Sequence, residues 1–374
     1  MTPIYLDHNA TTPLHPEVIR IMESALHDFG NPSSQHSYGQ RAKENIETAR
    51  DHLAQAIQAK SDQILFTSSG TEANNHVLYH VYFQGLETGE PAHIITSSIE
   101  HSCILNTCQW LEKKGVSVTY LPVDQTGEVD LKALTAAIRP ETKLISIMAA
   151  NNEVGTIQPL KAIHDIAQKN GIPLHIDAIQ VLGKIPFSIN APEVDFATFS
   201  AHKLNGPKGA GALYAKNPKT LSSLLKGGPQ ERQKRAGTEN TLTIIGFGEC
   251  IKQKMATLNQ DMAHINTLSQ TLLTGLHKIP NAVINTPLNK AIPGTISVAF
   301  PGHQAERLVM KLDLEGIYVS TGSACSTGTI ETSHVLQAMQ LTLPIQESTI
   351  RISIGPSNTQ EEIEKVLERL ATLK

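Results

Sequence analysis

Cysteine is scarce, and its placement rules out more than it suggests. Among 374 residues there are four, Cys103, Cys108, Cys250 and Cys325, and none stands in a C-x-x-C pair. That distribution argues against a disulfide scaffold and against a zinc site, so no metal is expected and each thiol has to be judged alone. The chain also lacks any run of Lys or Arg, and its formal net charge of -4 offers no field for a polyanion. Direct binding to nucleic acid or to an anionic membrane surface is therefore not expected. Apolar stretches are all too short to span a bilayer, and the opening MTPIYLDHNATTP has neither the basic nor the apolar region of a secretory signal. The expected location is the cytoplasm.

What is present is an ordinary globular composition, with 40% hydrophobic and 18% charged residues, in a chain long enough for two domains. Through the first two thirds, short β-branched runs alternate with helical patterns. QILFT, HIITS, VSVTYL, KLISIM, PLHID and DFATFS read as strands. Helices fit at Glu72 to Gln84, Cys103 to Lys114, Leu131 to Ile138 and Leu160 to Lys169. This alternation predicts an α/β fold whose mainly parallel sheet is covered by helices, with ligands at the carboxyl ends of its strands. After Gly248 a long helical stretch, Glu249 to Lys278, leads into a mixed unit containing GTISVAF, a helix near Gln304 to Leu314, IRISI and a last helix from Thr359. The expected division is a large domain over 15–255 and a smaller α+β domain made of 1–14 and 256–374.

Three segments carry chemistry. In ILFTSSGTEANN a strand runs through Ser68, Ser69, Gly70 and Thr71 into a helix, so backbone N-H groups and the helix N-terminus could receive a phosphate. The competing reading is a tight turn with Ser69 or Thr71 as helix cap. In PLHIDAIQVLGK, Asp177 ends a strand and could pair with a protonated heteroaromatic nitrogen, or could cap the next helix. In DFATFSAHKLNGPKGAGALY, Lys203 follows a strand and precedes the glycines Gly206 to Gly211, which give the loop room. A lysine near a phosphate site and an aspartate can form a Schiff base once desolvation lowers its pKa. Ser200 and His202 are candidate phosphate donors, or partners of nearby backbone.

These segments, with YLDHNATTP, FGNPSSQHSYGQRA, SIEHSCIL, NNEVGTIQP, QERQKRAGTEN, VSTGSACSTG and IRISIGPSN, resemble the pyridoxal-phosphate-dependent aminotransferase-like fold (fold type I), class V branch, and specifically cysteine desulfurases of the NifS and IscS kind. The resemblance runs nearly end to end. It implies that pyridoxal 5'-phosphate is bound by Lys203, that His101 stacks on its ring and that Asp177 pairs with the ring nitrogen. Asn152 and Gln180 would approach the ring hydroxyl, and Gly70, Thr71, Ser200 and His202 would hold the phosphate. Thr238 would reach the phosphate of a neighbouring subunit, which implies a homodimer. Arg351 would clamp the substrate carboxylate through a fork that lysine cannot reproduce. Two departures from the pattern, Pro229 before QER and Ala201 before the His-Lys pair, bear on local loop geometry.

Cys325 separates a desulfurase from other enzymes with the same cofactor apparatus. It sits in a run of small residues, Ser320 to Gly328, without apolar periodicity, which reads as an exposed loop able to bring a thiol to the cofactor. Cys103, Cys108 and Cys250 fall in helical patterns and read as packing residues. The implied reaction converts L-cysteine to L-alanine and leaves a persulfide on Cys325, destined for a sulfur-acceptor protein such as an iron-sulfur scaffold or for thio-cofactor or tRNA biosynthesis. The alternatives are a selenocysteine lyase, another class V aminotransferase, or a non-enzymatic sulfur carrier.

Overall fold

Apolar runs of four to seven residues bounded by turns are too short for core helices and suit strands buried on both faces. A computed structural model, describing residues 3–321 and 332–372, has this arrangement. In chain order the strands are β1 (Ile4–Tyr5), β2 (Ile64–Thr67), β3 (His93–Ser97), β4 (Ser117–Leu121), β5 (Thr142–Met148), β6 (Leu174–Asp177), β7 (Phe196–Ser200), β8 (Gly211–Ala215), β9 (Val283–Ile284), β10 (Thr295–Ala299), β11 (Ile317–Tyr318) and β12 (Thr349–Ser353). One sheet has the order β2-β8-β7-β6-β5-β3-β4. Within it β8 pairs antiparallel with both β2 and β7, and the other pairings are parallel. Ile64, Ile94, Ile145, Ile147, Ile176 and Phe199 are completely buried in it. Each such side chain contributes about 1.5–3 kcal/mol relative to exposure. The carboxyl ends of β2, β5, β6 and β7 consequently open on one edge, the position favoured for a ligand.

Strand β8 was not anticipated, because its glycines resemble a loop. Their role is close approach. A Cβ on Gly211 would lie 2.3 Å from the carbonyl carbon of Ser69, and one on Gly206 would lie 2.6 Å from Cys250 Sγ. Glycine thus lets the β8 region press against the turn after β2. Ala201 is fully buried and donates its N-H to the Ala210 carbonyl at 3.1 Å, so alanine is accommodated there. Beyond Pro229 the chain takes positive φ at Glu231 and Arg232, 45° and 56°. A buried pairing of Glu231 with Arg50, with contacts of 2.8 and 2.9 Å, offsets the strain of that turn.

The helices Pro16–Ala25 and Ser37–Ile57 also lack a counterpart in the sequence reading. In the second, Ala42, Ile46, Ala49, Leu53 and Ile57 recur every three or four residues and are buried. The long helix begins at Thr241 rather than Glu249 and runs to Leu276. Its early turns contain Gly246 and Gly248, which read as breakers but serve contact: a Cβ on Gly248 would lie 2.5 Å from Ala49 Cα. The domain boundary expected after residue 255 falls within this continuous helix.

The remaining strands build a second core. β10 lies antiparallel to β12 and β9, and β1 pairs parallel with β11. Leu272, Val298, Ile350, Ile352 and Ile363 meet there. The N-terminal segment runs between β11 and β12, with Leu6 N-H donating to the Tyr318 carbonyl at 2.9 Å and Ser353 N-H donating to the Leu6 carbonyl at 2.7 Å. This threading carries residues 7–10 to the edge of the large sheet. Among the described residues no helix is long and apolar enough to cross a membrane.

Candidate active site

The turn after β2 is both a capped helix start and one end of a cavity. Ser69 Oγ accepts the N-H of Glu72 at 3.1 Å, which caps the helix Gly70–Thr88. Gly70 and Thr71 line the cavity where that helix directs its partial positive charge. A Cβ on Gly70 would lie 2.3 Å from Ile179 Cδ1, so the backbone approaches the site only because the residue is glycine. Ser200, at the end of β7, and His202, on the next turn, line the same region. The His202 ring lies 3.1 Å from the Thr11 hydroxyl, and burial followed by the charges of Lys203 and Lys208 lowers its pKa to about 4, leaving it neutral.

Asp177 ends β6 and is 6% exposed. Its carboxylate accepts the Ile179 N-H at 3.0 Å, as a local cap would, yet it also lines the cavity. Asn74 Nδ2 donates to its other oxygen at 2.7 Å, and Asn74 Oδ1 in turn accepts the Thr198 hydroxyl at 2.5 Å. Sequence reasoning missed Asn74, although TSSGTEANN places it one turn after Gly70. Burial raises the Asp177 pKa, against hydrogen bonds from Ile179 and Asn74 and the charges of His101 and Lys203. Glu100 is wholly buried nearby, with one oxygen accepting the Met148 N-H at 2.9 Å and the other without a partner among the described residues. Burial, reinforced by the charge of Asp177, pushes its pKa well above the usual carboxylate value, against the hydrogen bond from Met148.

Lys203 stands on the turn Ala201–Lys203 after β7. Its amine donates to the backbone carbonyls of Asn9 and Ala10 at 2.7 and 2.6 Å. Burial and then the Arg351 guanidinium lower its pKa to about 8, partly countered by Asp7 and Asp177. A substantial fraction is therefore free amine in mildly alkaline water, which an ordinary lysine is not. His101 caps the helix Ser102–Glu112, its Nδ1 accepting the Cys103 N-H at 3.1 Å. In the neutral ring that bond places the proton on Nε2. Burial lowers the His101 pKa, with Asp177 opposing and Lys203 and His334 adding to the shift.

The opposite wall comes from the second core. Arg351, on β12, is 4% exposed and donates from Nη2 to Asp7 at 2.6 Å and from Nη1 to the Asn152 carbonyl at 3.1 Å, while its Nε has no partner among the described residues. Asn9 was missed, yet it touches most of the site. Its carbonyl accepts Lys203 and also Gln180 Nε2 at 3.1 Å, and its Nδ2 donates to the Asn152 carbonyl at 3.1 Å. Both Asp7 and Asn9 lie in LDHNATTP, a conspicuous polar segment to which no role was assigned.

His101, Asn152, Asp177, Gln180, Lys203 and Arg351 thus share one cavity of about 370 Å³ with the phosphate-side residues. Thr238 is exposed and does not line it. Cys325 lies outside the described residues. Cys108 and Cys250 are core residues, but Cys103 lines the cavity, where burial pushes its thiol up to about 12 and keeps it protonated. Among the described residues no cluster of potential metal ligands occurs.

The donor set fits a phosphorylated, cationic heteroaromatic group. A helix N-terminus with hydroxyl and imidazole partners stands at one end, and a buried carboxylate to which no described lysine or arginine is ion-paired stands at the other. An amine of lowered pKa faces the space between them. The class-V aminotransferase family model matches residues 4–366. A cysteine desulfurase IscS of Dictyoglomus turgidum is 42% identical over 379 residues, covering 99% of this chain and 96% of its own. Among solved structures, a NifS-like protein superposes with a TM-score of 0.93 at 38% identity, covering 99% of this chain and 98% of its own. SspA in complex with cysteine has a TM-score of 0.84 at 34% identity, covering 95% of this chain and all of its own.

Proposed function

Since this chain belongs to the class-V aminotransferase family and is a pyridoxal-phosphate-dependent cysteine desulfurase, we propose that it converts L-cysteine to L-alanine by passing sulfur to Cys325. The observation that carries the assignment of the site is the shared cavity in which Lys203, His101, Asp177 and Arg351 converge from four separate segments. Gly70, Thr71, Ser200 and His202 hold the cofactor phosphate, Asp177 the ring nitrogen, and Asn152 and Gln180 the ring oxygen. The bound cofactor supplies a sink for the electron pair left when the substrate Cα-H bond breaks. Arg351 orients the substrate through its carboxylate, which takes the place of Asp7 at Nη2.

Proton handling falls to two residues. The Lys203 amine accepts the Cα proton, helped by a pKa of about 8 that lets it serve as a base near neutrality. His101, neutral with its proton on Nε2, relays protons at the sulfur side of the substrate. The Cys325 thiolate attacks the substrate sulfur, a sulfur-sulfur bond forms, and the substrate carbon-sulfur bond breaks with its electron pair remaining on carbon. Protonation of that carbon, with return of a proton to Cα by Lys203, yields alanine, so no external oxidant or reductant is consumed. Thr238 completes the phosphate site of a second subunit in a homodimer, and the persulfide passes to an acceptor protein such as an iron-sulfur scaffold. The protein works in the cytoplasm.

The test is product stoichiometry with cysteine as sole substrate and a thiol acceptor. Alanine and transferred sulfur should appear one to one without any keto acid. Alanine formation that requires a keto acid, or pyruvate and ammonia as products, would contradict the proposal.

A further inference from the structure

Lys184 is a buried amine beside the cavity that the reaction above does not use. Its Nζ donates to Gln180 Oε1 at 2.5 Å and to Asn9 Oδ1 at 2.8 Å. Both acceptors are neutral, and among the described residues no carboxylate forms an ion pair with it. Burial, with Lys203, Arg351 and Lys254 as neighbouring charges, drives its pKa well below that of a free lysine. A lysine so placed costs stability that an apolar side chain of similar size would not.

What it supplies is orientation. A side-chain amide has an oxygen that accepts and a nitrogen that donates, and its partners decide which faces a ligand. An amine donates to oxygen whether or not it is charged, so Lys184 holds Gln180 Oε1 away from the cavity. Gln180 Nε2 gives one proton to the Asn9 carbonyl at 3.1 Å, which leaves its second N-H for the cavity that Gln180 lines. Asn9 is fixed in the same way: its Oδ1 accepts Lys184, and its Nδ2 donates to the Asn152 carbonyl at 3.1 Å and to the Thr295 hydroxyl at 2.8 Å. The Asn9 carbonyl held by this network is also an acceptor for the Lys203 amine.

We propose that Lys184 is a positioning residue which fixes the Gln180 amide so that Nε2-H, and not Oε1, meets the ring oxygen of the cofactor. The proposal rests on the reading of Gln180 as a ring-oxygen partner. Its test is a double-mutant cycle of Lys184→Met and Gln180→Leu, read by the cofactor dissociation constant and by the absorbance maximum of the bound cofactor, with thermal melting of each apoprotein as a check on folding. Each single change should weaken cofactor binding about tenfold and shift the band in the same direction, and the double variant should match Gln180→Leu alone. Effects that add in the double variant would overturn the role of Lys184 while leaving that of Gln180 intact. A Gln180→Leu variant with unchanged affinity and spectrum would overturn the reading of Gln180 and the inference with it. Should Lys184→Met fail to fold, Lys184→Gln, which keeps a donor toward Gln180 Oε1, should hold affinity and absorbance maximum near wild type; a tenfold loss in that variant would overturn the role of Lys184.

Discussion

The two walls of the cavity are built on different principles. The large-sheet wall takes Asp177 and Ser200 directly from strand ends, with Gly70, His101 and Lys203 on the first turns beyond. A parallel sheet delivers such residues to one edge as a consequence of its topology. The opposite wall is an assembly of distant pieces: Asp7 and Arg351 are in contact across 344 positions of sequence. The sheet wall presents an anion-accepting helix end and a lone buried carboxylate, matched to a cofactor. The other presents a guanidinium provisionally paired with a carboxylate of the protein itself, matched to an exchangeable substrate. On the proposed assignment, cofactor and substrate are held by separate cores, joined through the contact of Asn9 with Lys203.

Lys203→Ala should break the comparison most completely, because it removes both the covalent anchor and the base while taking nothing from either hydrophobic core. Alanine formation should fall to background while the circular dichroism spectrum and melting temperature stay near wild type. A reducible linkage to another lysine would refute the assignment. Arg351→Lys should act on one wall only. Loss of the two-pronged contact should lower kcat/KM for cysteine by about 10²-fold, roughly 3 kcal/mol, with cofactor affinity unchanged. If cofactor affinity fell equally, the division between walls would be wrong.

A smaller effect is expected from Asn74→Ala, which leaves one Asp177 oxygen and the Thr198 hydroxyl without their buried partner. It should cost about 1–3 kcal/mol of stability and lower kcat with little change in the KM for cysteine. A change in KM alone would place Asn74 on the substrate side. The smallest effect concerns pH. Below its pKa of about 8 the Lys203 amine is protonated and cannot attack; above it the amine is free. The rate of cofactor attachment to apoprotein should rise with pH, level off above about 9, and gain about tenfold in all from pH 7 upward. A rise continuing through pH 10 would mean an ordinary lysine.

Legibility in the sequence followed the same division. Strands β2 to β7 announce themselves through short apolar runs, and the polar residues at or just past the ends of β2, β6 and β7 then read as ligand candidates. β8 was hidden because Gly206 and Gly211 serve contacts with Cys250 and Ser69 that no local pattern encodes. Gly246 and Gly248 disguised the start of the long helix for the same reason. Asp7 and Asn9 meet partners that only the fold brings near, Arg351 and Lys203, and the partners of Asn74, Asp177 and Thr198, are likewise remote in sequence, so spacing could not assign them. Arg351 was found through resemblance, since IRISI by itself shows a strand and not a partner.

The segment 322–331 is bounded by Ser320, which lines the cavity, and by Ser333 and His334, hydrogen bonded to the Glu153 carboxylate at 2.5 Å and the Glu100 carbonyl at 2.9 Å. In the proposed mechanism its cysteine is the chemical link between the two walls and an acceptor. The most direct measurement is mass spectrometry of peptides after a brief pulse of cysteine, on the wild-type protein and on Cys325→Ser. One additional sulfur should sit on the Cys325 peptide of the wild type, and in the variant that mark and alanine release should both vanish while cysteine still perturbs the cofactor spectrum. Sulfur found on Cys103, Cys108 or Cys250, together with a Cys325→Ser variant that still releases alanine, would contradict the account.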